Sequence, residues 1–277
     1  MSVLVVTLLL LSAIVHAAWN ALLKGGDDRL WAISIITLVG AVALLPFALF
    51  LGPPGLPAVP YLVLSSVLQI GYCLFLIRAY RDADLASVYP IARGSAPLLV
   101  TLGALLFARE IPSEFGLVGI GCVSFGLMFL VLGTGRPDVK SALAALTAGL
   151  FIASYMVVDG LGVRVSDDAL SYAAWQAVCA GVLIPLSFVV IRRRLPAPPR
   201  GWEGTKIIAA GIFGTLGYCI AVWAMSLSSM GGVSAIRETS ILFAALFGVV
   251  MLRERITLSK LAGALSVTAG VIFLSLS

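Results

Sequence analysis

Charge is scarce in this sequence. Of 277 residues only 11% are Asp, Glu, Lys or Arg, against about a quarter in a soluble domain. That shortage excludes a disordered chain and a basic nucleic-acid-binding domain, both of which need dense charge, and collagen-like glycine periodicity is missing too. Histidine is scarcer still, since His16 stands alone. A Ser-His-Asp hydrolase would have to use it, and no GxSxG elbow accompanies it. There is no HExxH or Cys/His set for a metal and no GxxxxGK[ST] loop for a nucleotide phosphate, so neither metal nor cofactor is expected. The four cysteines, Cys73, Cys122, Cys179 and Cys219, have no CxxC spacing and fall in apolar stretches. They read as packing residues and not as a disulfide framework.

Apolar residues fill the space left by charge: 61% of the chain is hydrophobic and the mean hydropathy is +1.10. A chain of this composition belongs in a lipid bilayer. A membrane helix needs roughly 20 apolar residues to cross about 30 Å of hydrocarbon. Ten stretches qualify, at 3–23, 30–51, 60–80, 85–108, 115–133, 140–160, 168–191, 205–228, 232–252 and 258–276. The alternating ten-residue segments of a β-barrel are missing, so helices must satisfy the backbone in lipid. The first stretch lacks a basic n-region and a small-residue cleavage site before Lys24, and is expected to remain as a span.

The connections between these stretches are short, and their charge is uneven. Odd-numbered loops hold Lys24, Arg29, Arg136, Lys140, Arg192 to Arg194, Arg200, Lys206, Arg253, Arg255 and Lys260, whereas even-numbered loops hold little beyond Arg109 and Arg164. By the positive-inside rule the odd loops face the cytoplasm and both termini face outward. The net charge of +5 is thus a matter of loop topology and not a nucleic-acid patch.

An internal repeat runs through the chain. Gly71-Tyr72-Cys73 returns as Gly217-Tyr218-Cys219, and further on Arg93 corresponds to Arg237, Arg109-Glu110 to Arg253-Glu254, Gly119 to Gly263 and Gly126 to Gly270 at a constant shift of 144. Each copy holds five spans, so residues 1–136 and 137–277 must enter the membrane with opposite polarity. Inverted repeats of this kind are the usual architecture of secondary transporters, because two similar halves can exchange conformations around a shared midplane site. A duplication kept only for stability is the alternative.

Three features together carry a family resemblance. They are the His16-Ala-Ala-Trp19-Asn20 pattern in span one, Tyr89-Pro-Ile-Ala-Arg93-Gly-Ser-Ala-Pro97 in span four, and apolar helices ending at Glu110 and Glu254. With ten spans in two halves, the chain resembles the EamA branch of the drug/metabolite transporter superfamily over essentially its whole length. The resemblance implies a central cavity lined by spans one, three, four, six, eight and nine, with spans five and ten peripheral. It also implies cytoplasmic termini, opposite to the loop-charge reading. Relatives export amino acids, metabolites or drugs, and more distant ones carry nucleotide sugars or sugar phosphates.

Ionisable residues inside spans are costly and mark functional positions by default. Arg93 lies well inside span four. Pro97 cannot donate to its carbonyl, nor Pro90 to that of Ala86, so span four is expected to be a broken helix presenting a cation. Arg93 is expected to bind an anionic group of the cargo, with Arg237 as a second contact; the alternative is that Arg93 pairs with an acid on another span. Arg237 and Glu238 sit in span nine, pointing about 100° apart; Glu238 either reaches another span or is a protonatable group. His16 is a proton-relay candidate or a packing residue, with Trp19 and Asn20 beside it on the same helix. Tyr72, Tyr89, Tyr155, Tyr218 and Trp223 fall in spans that the resemblance makes cavity-lining. Tyr172, Trp175 and Gln176 form a second cluster, Asp159 is expected at the interface, and Trp31 and Trp202 are interfacial anchors. The glycines of spans five and ten mark close helix approach, either within the chain or across a dimer.

The expected protein is therefore an all-α integral membrane transporter of the cell (inner or plasma) membrane, secondary-active and more often an exporter. Its cargo would be an amino acid or other small anionic or zwitterionic metabolite, with protons as a possible coupling ion and a monomer or homodimer as its state. A uniporter or antiporter of a phosphorylated or lipid-linked metabolite is the alternative within transport. A membrane scaffold or an intramembrane enzyme explains the repeat and its buried charges less well.

Overall fold

The computed structural model describes residues 1–22, 28–79, 85–129, 139–252 and 257–277, with side chains for all of these except 18–22, 29, 76–79, 85–90 and 247–252. Among the described residues it is helical throughout, with no strand. The helices are α1 (Val3–Leu22), α2 (Arg29–Leu51), α3 (Val59–Ala79), α4 (Leu85–Ala108), α5 (Glu114–Phe129), α6 (Val139–Val165), α7 (Ala169–Arg192), α8 (Gly201–Leu227), α9 (Met230–Glu238), α10 (Ser240–Leu252) and α11 (Leu258–Ser275), with a short 3-10 turn at Leu56–Ala58 before α3. Seven of the helical segments are long and apolar enough to cross a membrane on length and composition; α1 and α5 contribute shorter apolar stretches. Large apolar side chains stand exposed around the outside, among them Phe50, Leu106, Phe107, Leu150 and Val190. Such a surface is stable only against lipid. The chain is a multi-pass membrane protein.

Two expectations about helix continuity are corrected. Span four is one helix from Leu85 to Ala108 despite Pro90 and Pro97, the hydroxyl of Thr101 turning back onto the carbonyl of Pro97. The interruption falls in span nine, where α9 ends at Glu238 and α10 starts at Ser240. There the polar run Arg237-Glu238-Thr239-Ser240 lets the Thr239 hydroxyl and amide both donate to the Ile236 carbonyl, a local bond that competes with the helical ladder.

α2 lies on α7 and α5 on α11, while α6 packs against α3 and α4, and α1 against α8, α9 and α10. The α2–α7 pair is antiparallel: Trp175 donates to the carbonyls of Ala48 and Gly52 at one end, and Arg192 pairs with Asp28 at the other. The α5–α11 pair is antiparallel too, with Gly119 against Gly270 and Gly126 against Gly263. These glycines face each other inside one chain, so they are not a dimer seam.

Both chain ends lie at one end of the bundle, where the Met1 ammonium donates to Ser277. This end is tied together by Glu110, which accepts from the amide of Met230 at 2.8 Å and pairs with Arg164 at 2.9 Å. Arg164 also donates to the carbonyls of Met225 and Ser228. The α4–α5 turn, the end of α6 and the α8–α9 turn are thereby joined. Glu254, the repeat counterpart of Glu110, lies outside the described residues, as do Lys24, Arg136, Arg253 and Arg255.

Candidate functional site

Buried charges on α4 and α9 meet. Arg93 on α4 donates through Nη1 to Glu238 Oε1 on α9 at 2.9 Å, and its Nη2 meets His16 Nε2 on α1 at 3.1 Å. The side chains of Arg93 and Glu238 are 6% and 0% exposed, so the pair is shielded from solvent on every side. A guanidinium can only donate, which makes the facing His16 nitrogen the acceptor. Glu238 thus reaches another span, one of the alternatives its position left open. Its second oxygen, Oε2, is buried without a hydrogen-bond partner.

Arg237 points elsewhere, as one step of a helix turns by about 100°. Its guanidinium carbon sits 4.6 Å from the centroid of the Tyr218 ring on α8, and its Nη1 is buried with no hydrogen-bond partner. Cation–π contact with the aromatic face holds the charge in place while leaving N–H groups to spare. Tyr218 meets Tyr155 edge-on at 6.1 Å, and Tyr155 meets Tyr72 in the same way at 6.0 Å. His16, Tyr72, Arg93, Tyr155, Tyr218, Arg237 and Glu238 are therefore one cluster contributed by α1, α3, α4, α6, α8 and α9.

Asp159 is not interfacial. α6 continues past it to Val165, and the residue is fully buried. The Tyr172 hydroxyl donates to its Oδ1 at 3.0 Å, the Tyr218 hydroxyl donates to its Oδ2, and Ser65 of α3 is a third hydroxyl beside it. Gly162, one turn on from Asp159, makes the approach of Tyr172 possible: a Cβ there would lie 2.3 Å from the tyrosine oxygen. Ser65 in turn accepts from the amide groups of Gln176 at 3.3 Å and Gln69 at 3.4 Å. Sequence reasoning missed this site by ending span six at residue 160. The signal was present as Gly160, Gly162 and Val163, small and apolar residues that extend the packed face.

The remaining candidates separate from the cluster. Trp223 lines an apolar hollow of about 380 Å³ with Leu8, Phe47, Leu170, Leu216 and Cys219 between α1, α2, α7 and α8. Trp175 fastens α7 to the end of α2, so the proposed trio of Tyr172, Trp175 and Gln176 divides between that anchor and the Asp159 network. Trp31 donates to the Ala197 carbonyl and Trp202 stacks near Lys206 at the opposite end from the termini. The side chains of Trp19, Asn20 and Tyr89 lie outside the described ones.

Residues 139–276 match the EamA-like transporter family. This second half of the chain belongs to that family. The matching segment is the half that carries Asp159, Tyr218, Arg237 and Glu238. The chain is 27% identical to an uncharacterised transporter of Archaeoglobus fulgidus over 69% of its own length and 64% of that protein's, so the match stops short of two thirds of the archaeal protein. It is 23% identical to the uncharacterised transporter YoaV of Bacillus subtilis over 76% of this chain and 73% of that one. A solved crystal structure with 18% identity superposes with a TM-score of 0.78, covering 98% of this chain and 96% of the other. That likeness shows a shared fold along nearly the whole chain.

Proposed function

We propose that this EamA protein is a secondary-active transporter of the cell membrane whose two inverted five-helix halves, 1–136 and 137–277, alternate around a central cavity, exporting a small anionic or zwitterionic metabolite with protons as the coupling ion. Ten crossings are supported by the position of the chain ends. Ends that touch at one side require an even number, and α1, α5 and the α9–α10 pair bring the seven longer spans to ten. Inversion is supported by the antiparallel course of α2 against α7 and α5 against α11, pairs that the repeat makes equivalent. His16, Tyr72, Tyr155 and Tyr218 complete the proposed lining.

The observation that carries the reading is the unequal engagement of two repeat-related arginines. Arg93 is tied to Glu238 across the halves, so it serves as the joint between them. Arg237 holds an unpartnered N–H group beside three tyrosines, and a carboxylate or phosphate of the cargo is the partner it lacks. In proteoliposomes loaded with a panel of L-alanine, L-phenylalanine, glucose 6-phosphate and a cationic dye, the wild-type protein is expected to exchange an anionic or zwitterionic member. Arg237→Gln should raise the KM for that solute by roughly tenfold or more, with Arg237→Lys intermediate. Exchange of the cationic dye alone, or a wild-type KM in Arg237→Gln, would overturn the assignment.

A further inference from the structure

The residues first considered for coupling, Glu238 and His16, are both engaged with the guanidinium of Arg93. A guanidinium stays charged and only donates, so protonating Glu238 would strand a buried cation. Asp159 is built in the opposite way. It is fully buried and, among the described residues, makes no salt bridge.

Every group facing Asp159 in the described structure is neutral or at a remove. α7 contributes the Tyr172 hydroxyl, with Cys179 and Tyr61 of α3 beyond it; α8 contributes the Tyr218 hydroxyl and Cys219; α3 contributes Ser65, backed by Gln69 and Gln176. Tyr155 lies one turn back on α6 itself. The cation in range is Arg237, held over the Tyr218 ring. An ionised carboxylate in this setting is costly without a counter-ion, yet it is solvated by hydroxyls, and a hydroxyl donates or accepts by turning its hydrogen. With carboxylate present the phenols donate; with carboxylic acid present one of them accepts.

We propose that Asp159 is the proton-binding site of the transporter, loaded from water on one side of the membrane and unloaded to the other, and that Tyr218 carries its state to Arg237. This rests on the transport reading above. When Asp159 takes up a proton its pull on the Tyr218 hydroxyl weakens, the ring beneath Arg237 is released, and the cation that meets the cargo loses its seat. Uptake of the proton and binding of the anion are thereby linked through one side chain, which is the thermodynamic requirement for coupling.

Two measurements test the site. Dicyclohexylcarbodiimide adds to protonated carboxyl groups in apolar surroundings, so in the purified wild-type protein Asp159 should be modified at acidic pH and roughly tenfold less at alkaline pH, with Glu238 unmodified throughout, as read by peptide mass spectrometry. Modification of Glu238 in its place, or an Asp159 that never reacts, overturns the proposal. In proteoliposomes, Asp159→Asn should lose the stimulation of flux by a pH gradient by roughly tenfold, with Asp159→Glu restoring part of it. If Asp159→Asn fails to fold, Tyr218→Phe keeps the ring and removes the hydroxyl, and it should shift the pH midpoint of flux. Stimulation that survives in Asp159→Asn, an unmoved midpoint in Tyr218→Phe, or flux that follows a sodium gradient and ignores pH sinks it. A wild-type protein that moves no solute while Asp159 still reacts in a pH-dependent way removes the transport reading and leaves the proton site standing.

Discussion

At the scale of single residues, the Arg93–Glu238 pair shows how burial changes what a charge is for. Two ions taken from water are held against each other with His16 beside them, so removing one takes away the other's counter-charge. Glu238→Ala should lower stability by about 3–5 kcal/mol, whereas the double substitution Arg93→Met with Glu238→Met should recover most of that loss, because an apolar pair in place of an ion pair is close to neutral. Thermal unfolding in detergent reads both; a double variant no more stable than the single one would show that the pair does not act as a unit. That these residues matter was legible in the sequence, since charge inside an apolar run is conspicuous. Their pairing was not, because it joins positions 145 residues apart that only tertiary packing brings together. Asp159 is hidden by a different effect: Asp159, Gly160, Gly162 and Arg164 dilute the hydropathy at the end of span six, so the hydropathy pattern stops early and puts a core carboxylate at the interface.

At the scale of helices, the bundle depends on backbone approaching backbone. A Cβ at Gly270 would lie 2.7 Å from the Gly119 carbonyl oxygen and 2.9 Å from the Val123 amide, and one at Gly126 would lie 2.9 Å from the Gly263 carbonyl oxygen. Peptide groups cannot swing aside as a flexible side chain can, so Gly270→Ala should separate α5 from α11 and cost about 1–3 kcal/mol. Gly121, on the same helix α5, meets nothing within 4 Å, and Gly121→Ala should leave stability within about 0.5 kcal/mol of wild type. Helix propensity favours alanine over glycine at both positions, so equal losses from the two substitutions would mean that the close backbone approach at the seam does not govern the effect. The seven-residue glycine spacing disclosed this contact in advance, though not whether it closes within one chain. Prolines proved the poorer guide: Pro90 and Pro97 sit inside a continuous α4, while the span that breaks does so at Thr239 without proline, where consecutive polar side chains offer the backbone local partners.

At the scale of the whole molecule, the repeat makes a claim about direction that a single chemical experiment can decide. Glu114 opens α5 and Leu258 opens α11; they are equivalent positions in the two copies, 144 apart in the sequence, and both are exposed. Glu114 belongs to the end of the bundle that holds the chain termini, whose described loops carry few cations beyond Arg109 and Arg164. Leu258 belongs to the opposite end with Lys140, Lys206, Lys260 and the Arg192 to Arg194 run, the end that basic residues direct toward the cytoplasm. With Cys73, Cys122, Cys179 and Cys219 replaced by serine or alanine, a single cysteine at position 114 should react in intact cells with a membrane-impermeant maleimide, and one at position 258 should react only after the membrane is opened. Labelling in the reverse order would leave the inverted architecture intact and turn the molecule over, placing the termini in the cytoplasm as the resemblance implies. Labelling of both from the same side is incompatible with two halves of opposite polarity, and with it would go the exchange of roles on which alternation around Arg93 and Glu238 depends.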